Sequence, residues 1–243
     1  MLPVVGVVGG AVVRVIAALL VYVAAALPAS AVTVLAVDVP ASDPILIPDS
    51  FVTSQSATRG AGLSAPTFQS IDGFSAVGFT EADAAGAVAD DDYLGFAFES
   101  AQAYDLTRLR FGIQRFSGFF GGGPTAGFVR ASADGGAFFD VTTADFGISD
   151  AGGVVDLALA GIAALQDVTG VEFRIYGYGG SPGFFNPAGE DGGIVRDQLI
   201  PGDDLALLLE GELTPPAVVP LPPGLPLLLA GLGAFAVLRR RGA

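Results

Sequence analysis

The chain of 243 residues contains no cysteine and no histidine, and all eleven of its basic residues are arginine. Without cysteine there are no disulfides, no thiolate nucleophile and no sulfur-ligated metal. Without histidine the common general base of hydrolases and the imidazole ligands of zinc and copper are missing, and without lysine so is Schiff-base chemistry. Carboxylates, tyrosine, serine, threonine and arginine are what is left for chemistry. Positive charge is scarce as well: twenty-five carboxylates against eleven arginines give a net charge of -14. Four of those arginines lie in the two terminal segments and every carboxylate lies between them. Seven arginines against twenty-five carboxylates leave the central part at about -18. Such a surface cannot engage a phosphate backbone, which excludes nucleic acid as a partner. It suits solubility, repulsion of like-charged polymers, or the gathering of divalent cations.

What is present in excess is apolar sequence at both ends. Arg14 precedes an apolar run over residues 15–27 that ends in Pro28-Ala29-Ser30-Ala31. The small residues Ala29 and Ala31 form an A-x-A cleavage site before Val32, so residues 1–31 read as a signal peptide. At the other end, proline-rich sequence leads into an apolar run over residues 225–238 and then Arg239-Arg240-Arg241. The run approaches the ~20 residues needed to cross a bilayer when counted from Leu221. Arginines that follow it stay cytoplasmic by the positive-inside rule, which places the upstream chain across the membrane. Pro215-Pro216, Pro220 and Pro222-Pro223 break the lead-in and argue against a helix that closes a globular core.

The three parts together, Val219-Pro220-Leu221-Pro222, an apolar helix and the cluster Arg239-Arg240-Arg241, resemble the VPLPA-CTERM variant of the PEP-CTERM sorting domains of Gram-negative bacteria. The likeness covers residues 219–243, and Pro223 stands where such tails carry alanine. The resemblance implies recognition by an exosortase-type membrane protease and transient residence in the inner membrane. It also implies delivery to the cell surface or extracellular matrix of a cell that makes exopolysaccharide, which becomes an expected partner.

Between the signals, residues 32–213 read as one domain and residues 214–218 as its linker. Val32 to Leu35 opens with a β-branched run, and prolines at 40, 44 and 48 follow. Residues 54–89 are small and polar, with poorly bounded strand signals. After Asp92 the pattern sharpens. Phe96 and Phe98 alternate toward a core, and Leu109, Phe111 and Ile113 oppose Arg108, Arg110 and Gln114. Phe128 to Ala131 and residues 137–141 flank Ala133-Asp134-Gly135-Gly136, a hairpin signal. Val154 to Leu159 is a short strand, and residues 160–165 suit a single helical turn. Val171, Phe173 and Ile175 alternate strictly with Glu172, Arg174, Tyr176 and Tyr178. Ile194-Val195 and residues 205–213 supply the last strands. Short strands at about ten-residue spacing, with glycine and proline turns, imply an all-β domain: an antiparallel β-sandwich, jelly-roll-like, flanked by the signal helix and the sorting helix. The stretch from about residue 65 to 213 also resembles the β-sandwich ectodomains carried by PEP-CTERM tails.

Three sets of residues are candidates for a site. Glu172, Arg174, Tyr176 and Tyr178 share one face of a strand, where two rings, a guanidinium and a carboxylate could grip sugar hydroxyls and stack on a pyranose. The acidic runs Asp90-Asp91-Asp92, Glu190-Asp191 and Asp203-Asp204 could offer oxygens to calcium, although none matches a calcium-loop motif. Glu99, Glu172 and Glu190 are the nominal pair-formers for glycoside hydrolysis, which needs two carboxylates at a cleft. Gly177-Tyr178-Gly179-Gly180-Ser181-Pro182 fails the dinucleotide fingerprint, and no serine sits in a nucleophile elbow. The expectation is a non-enzymatic exported protein that binds carbohydrate, with no cofactor other than calcium. The alternative is a purely structural acidic matrix component.

Overall fold

The computed structural model describes residues 31–40, 44–65, 73–115, 117–118, 121–182, 192–196, 200 and 204–214. The expected signal helix with Ala29, the sorting tail with Val219, Pro220, Leu221, Pro222, Arg239, Arg240 and Arg241, and the acids Glu190, Asp191 and Asp203 lie outside these residues. Ala31 is exposed and directly precedes the first strand. Among the described residues no helix is long and apolar enough to cross a membrane.

The described residues are mostly antiparallel β-sheet. The strands in chain order are β1 (Val32–Asp38), β2 (Ile45–Pro48), β3 (Val52–Arg59), β4 (Gly73–Ala76), β5 (Tyr93–Ile113), β6 (Ser117–Gly118), β7 (Gly121–Gly122) and β8 (Ala126–Ala133). There follow β9 (Phe139–Asp140), β10 (Phe146–Gly147), β11 (Gly153–Ala158), β12 (Val168–Tyr178), β13 (Ser181–Pro182), β14 (Gly192–Arg196) and β15 (Leu207–Leu213). One short helix, α1 (Ala84–Ala89), precedes β5, and a 3-10 turn (Ala163–Leu165) precedes β12. The three short strands β13, β7 and β6 form a small sheet of their own.

Strand β5 joins the main sheet. The sequence suggests two strands here, over residues 93–98 and 106–116, but the backbone runs through both as one strand of 21 residues. Its first half lies between β3 and β12, with Ala57 and Phe173 opposite Phe96. Its second half lies between β11 and β15, with Val155 and Leu207 opposite Phe111. Beyond β12 the order continues to β8, and beyond β15 to β1 and β2. Two irregularities let β5 change partners. The register with β12 jumps from Glu99 opposite Gly170 to Tyr104 opposite Val168, and the register with β15 skips Thr107, between the pairs of Arg108 with Glu210 and Leu106 with Gly211. Such bulges bend a strand and increase its twist.

The inward positions of both halves fill one core. Phe96 and Phe98 from the first half join Leu109 and Phe111 from the second, together with Phe173, Ile175, Leu207 and Leu209. Phe98 and Tyr104, on either side of the bend, meet edge to face with centroids 6.2 Å apart. Phe74 meets Phe96 in the same manner at 5.7 Å. Quadrupole attraction favours this geometry over a face-to-face sandwich.

Helix α1 is not evident from the sequence. Asp83 caps it, its Oδ1 accepting from the Gly86 N–H at 2.9 Å, so one of the unpaired amides of the first turn is satisfied. Ala87, fully buried, presses onto Phe128 and Tyr176 on the outer face of the sheet.

Candidate functional site

The expected outer face of β12 exists, but it is largely closed. Val171, Phe173 and Ile175 are buried in the core, as their alternation requires. Of the four residues on the opposite face, Tyr176 is only 1 % exposed: it lies beneath α1, its ring parallel to that of Phe128. That position corrects the picture of an open four-residue platform. A period of two assigns a face, while the helix that covers the face comes from elsewhere in the chain.

Arg174 is likewise engaged. Its Nε donates to Glu172 Oε1 at 2.7 Å, and Nη1 lies 3.7 Å from Asp91 Oδ1. The guanidinium carbon sits 4.2 Å from the Tyr93 ring centroid and 3.9 Å from that of Phe138. Arginine between two rings and two carboxylates is neutralised and held by cation-π attraction. Tyr178 donates its hydroxyl to Asp145 Oδ2, and that bond to a carboxylate, with partial burial, pushes its phenol up to about 12.

The acidic run Asp90-Asp91-Asp92 does not gather around a single point. Asp90 is exposed at the C-terminus of α1, Asp91 reaches toward Arg174, and Asp92 is 2 % exposed. Among the described residues no three acidic side chains converge in the manner of a metal site. Burial, and then the charges of Asp90, Glu81 and Asp91, push the Asp92 carboxyl up to about 7. Its buried Oδ2 has no hydrogen-bond partner among the described residues.

A groove of about 480 Å³ opens where β5 bends, across Ala97 to Ser100 of that strand and the adjoining ends of β3, β12 and β8. The bulges that bend the strands also shape it. Thr53 is the extra residue of a bulge in β3, between the pairs Val52 with Ser100 and Ser54 with Glu99, and it turns into the groove. Glu99 accepts from Ser54 Oγ through Oε2 at 3.3 Å, while its backbone carbonyl accepts from Thr53 Oγ1 at 3.2 Å. Ala97 and Gly170 leave the floor low.

The far wall comes from the hairpin tip, where Asp134 and Gly135 both hold positive φ, 47° and 71°. Asp134 Oδ1 accepts from Thr169 N, Thr169 Oγ1 and Gly170 N, all at 2.9 Å, tying the tip to β12. Ser132 Oγ donates to the Gly136 carbonyl at 2.6 Å and is nearly buried. Glu172 completes the lining. Two of the carboxylates selected in sequence, Glu99 and Glu172, therefore share this groove as diagonal neighbours across β5 and β12. Of the other lining residues, Asp134 and Gly135 read in the sequence only as a hairpin turn, and Thr53 and Thr169 stand in no pattern that marks a site.

The lining is hydroxyls, carboxylates and backbone, with a shallow floor. Chemically it can accept and donate hydrogen bonds to a polyhydroxylated ligand laid across the sheet. A second cleft of about 520 Å³ lies between α1 and the segment 140–145, above Phe128 and Val88.

Neither protein-family models nor curated proteins yield a match to this chain.

Proposed function

We propose that the protein is an exported component of the cell surface or extracellular matrix whose β domain binds a carbohydrate polymer in the groove beside Glu99, Asp134 and Glu172. Export and sorting rest on the two terminal signals, Ala29 and Ala31 at one end and the Val219 to Pro222 motif with Arg239 to Arg241 at the other. An exosortase-type membrane protease is the proposed processing partner. The β-sheet order and the single core shared by both halves of β5 support a jelly-roll-like sandwich, in which a bent strand passes between two packed sheets.

The observation that carries the ligand reading is the groove itself. A closed aromatic face at Tyr176 and a neutralised Arg174 leave this hydroxyl- and carboxylate-lined depression as the surface best suited to sugar hydroxyls. The runner-up, an acidic structural protein with no specific ligand, draws on the same closure of the β12 face. Glycan-array profiling of the purified full chain separates the two: selective signal supports binding, and a flat profile supports the structural reading. New reducing ends in the incubated glycan would replace binding with hydrolysis by Glu99 and Glu172. Export is tested by intact mass and fractionation of the native protein. A species beginning near Val32, without Arg239 to Arg241 and outside the inner membrane, is expected; one that keeps the three arginines and stays in the inner membrane contradicts it.

A further inference from the structure

We infer that helix α1 is a lid that acid keeps shut: a proton on Asp92, just past its C-terminal end, holds it over the Phe128–Tyr176 face, and loss of that proton lets it lift. This device is independent of the groove and its ligand. The helix has little of its own to hold it down. It is six residues long, too short to be stable alone, and of its small side chains only that of Ala87 is buried. Ala84, Ala85 and Val88 border the cleft of about 520 Å³ above Phe128, so that flank of the helix faces open space. The segment before α1 is anchored, since Gly179 N–H donates to the Glu81 carbonyl at 2.7 Å and Gly180 N–H to that of Phe79 at 2.9 Å. The far end depends on the link from Asp90 to Asp92, where Asp91 holds a left-handed φ of 58°.

Asp92 is the clasp. Its N–H donates to the Ala87 carbonyl at 2.9 Å, its own carbonyl accepts from Gly177 N–H at 3.3 Å, and its side chain is buried. The turn from Gly60 to Leu63 lies against the carboxyl so closely that a Cβ on Gly62 would sit 2.1 Å from Oδ1. Oδ2 has no hydrogen-bond partner among the described residues. The surroundings supply no cation: Glu81 and Asp90 flank α1, Asp91 precedes and Tyr93 follows in the chain, residues 60–63 are uncharged, and Arg174 on β12 is held by Asp91 and Glu172. A carboxylate that ionises there is desolvated beside three other acids, which is costly, whereas the protonated form is neutral. Burial, and then the charges of Asp90, Glu81 and Asp91, push the group up to about 7, so the closed form keeps its proton in mild acid. Lifting returns the carboxyl to water and to an ordinary 3.8. The face so uncovered carries Phe128 and Tyr176, with Tyr93 and Tyr178 in ring contact at its margins.

The test is amide hydrogen exchange of the full chain, followed residue by residue from about pH 4.5 to 8 and corrected for intrinsic exchange. Chelator in the buffer keeps divalent cations from standing in for the proton. Lifting releases one proton, so protection of the Ala87, Asp90 and Asp92 amides should fall about tenfold per pH unit between about pH 5 and 6.5 and level off above about pH 7.5. These amides should also exchange at least about tenfold faster than those of the β5–β12 ladder, which marks a local opening rather than global unfolding. Asp92→Asn, whose amide cannot ionise, should abolish the pH dependence at all three positions, with the ladder amides showing that the variant is folded. Protection that does not change with pH, an equal pH dependence in Asp92→Asn, or exchange no faster than in the ladder would overturn the lid. So would a dependence confined to Asp92 while Ala87 stays protected, because the link alone would then be fraying.

Discussion

Phe128 and Tyr176 stack face to face, their ring centroids 4.9 Å apart and their planes 5° from parallel, under the buried Ala87 of helix α1. The pair joins neighbouring strands, since Phe128 is the partner of Tyr176 in the β8–β12 ladder. Tyr176 is therefore a packing residue of the outer face, and Tyr178 beside it is a half-exposed residue tied to Asp145.

Mutation should separate the two tyrosines. Tyr176→Ala empties a fully buried aromatic site, and denaturant unfolding should show a loss of about 3 to 5 kcal/mol. Tyr178→Phe removes one hydrogen bond to an exposed carboxylate and should cost about 1 kcal/mol or less. Similar small losses at both positions would show that Tyr176 is not packed as described.

Asp92 should give the fold a pH dependence of unusual sign. Its folded carboxyl, pushed up to about 7 from an ordinary 3.8, holds its proton more tightly than the unfolded chain does. The group's contribution is complete below about pH 4, declines as pH rises and is lost above about pH 7, the reverse of a salt-bridged aspartate. The stability lost between about pH 4 and pH 7 is on the order of 4 kcal/mol. Unfolding free energies from pH 4 to 8 should fall for the native chain relative to Asp92→Asn, whose neutral amide cannot ionise. Parallel curves would contradict this.

The N-terminus of α1 offers a smaller test. Asp83→Ala removes the acceptor for the Gly86 N–H and should lower stability by about 1 kcal/mol. Asp83→Ser, a capping residue too, should recover most of it. The readout is the shift in denaturation midpoint, and no recovery by serine would mean that the cap is not what Asp83 supplies.

The strands were legible where one face is apolar and the other polar: β12, the second half of β5, and β15 follow directly from alternating Val, Phe, Ile and Leu. Strand β3 was not, because Val-Thr-Ser-Gln-Ser-Ala-Thr-Arg is polar on both faces and takes its place from pairing with β5. Helix α1 is six residues of alanine, glycine and valine, too short for a helical period, and only Asp83 before it hints at a start. Periodicity placed Glu172, Arg174, Tyr176 and Tyr178 on one face. It could not show that α1 covers Tyr176, because the covering residues lie some ninety positions away in a segment with no such pattern. The groove was hidden for a related reason. It collects residues from four separated stretches, and its floor is made by what Ala97 and Gly170 lack.

Whether a polymer lies across that floor decides the proposed function most directly. Ala97 is half-buried and faces the groove, so Ala97→Tyr should fill it without disturbing the core. The measurement is affinity electrophoresis of the native chain and this variant in gels cast with exopolysaccharide purified from the source cells. The native chain should be retarded, and Ala97→Tyr should migrate as in a blank gel while melting within about 2 °C of the native chain, as expected for a surface change of under 0.5 kcal/mol. Equal retardation of the two, or retardation of neither, would contradict a ligand site in the groove.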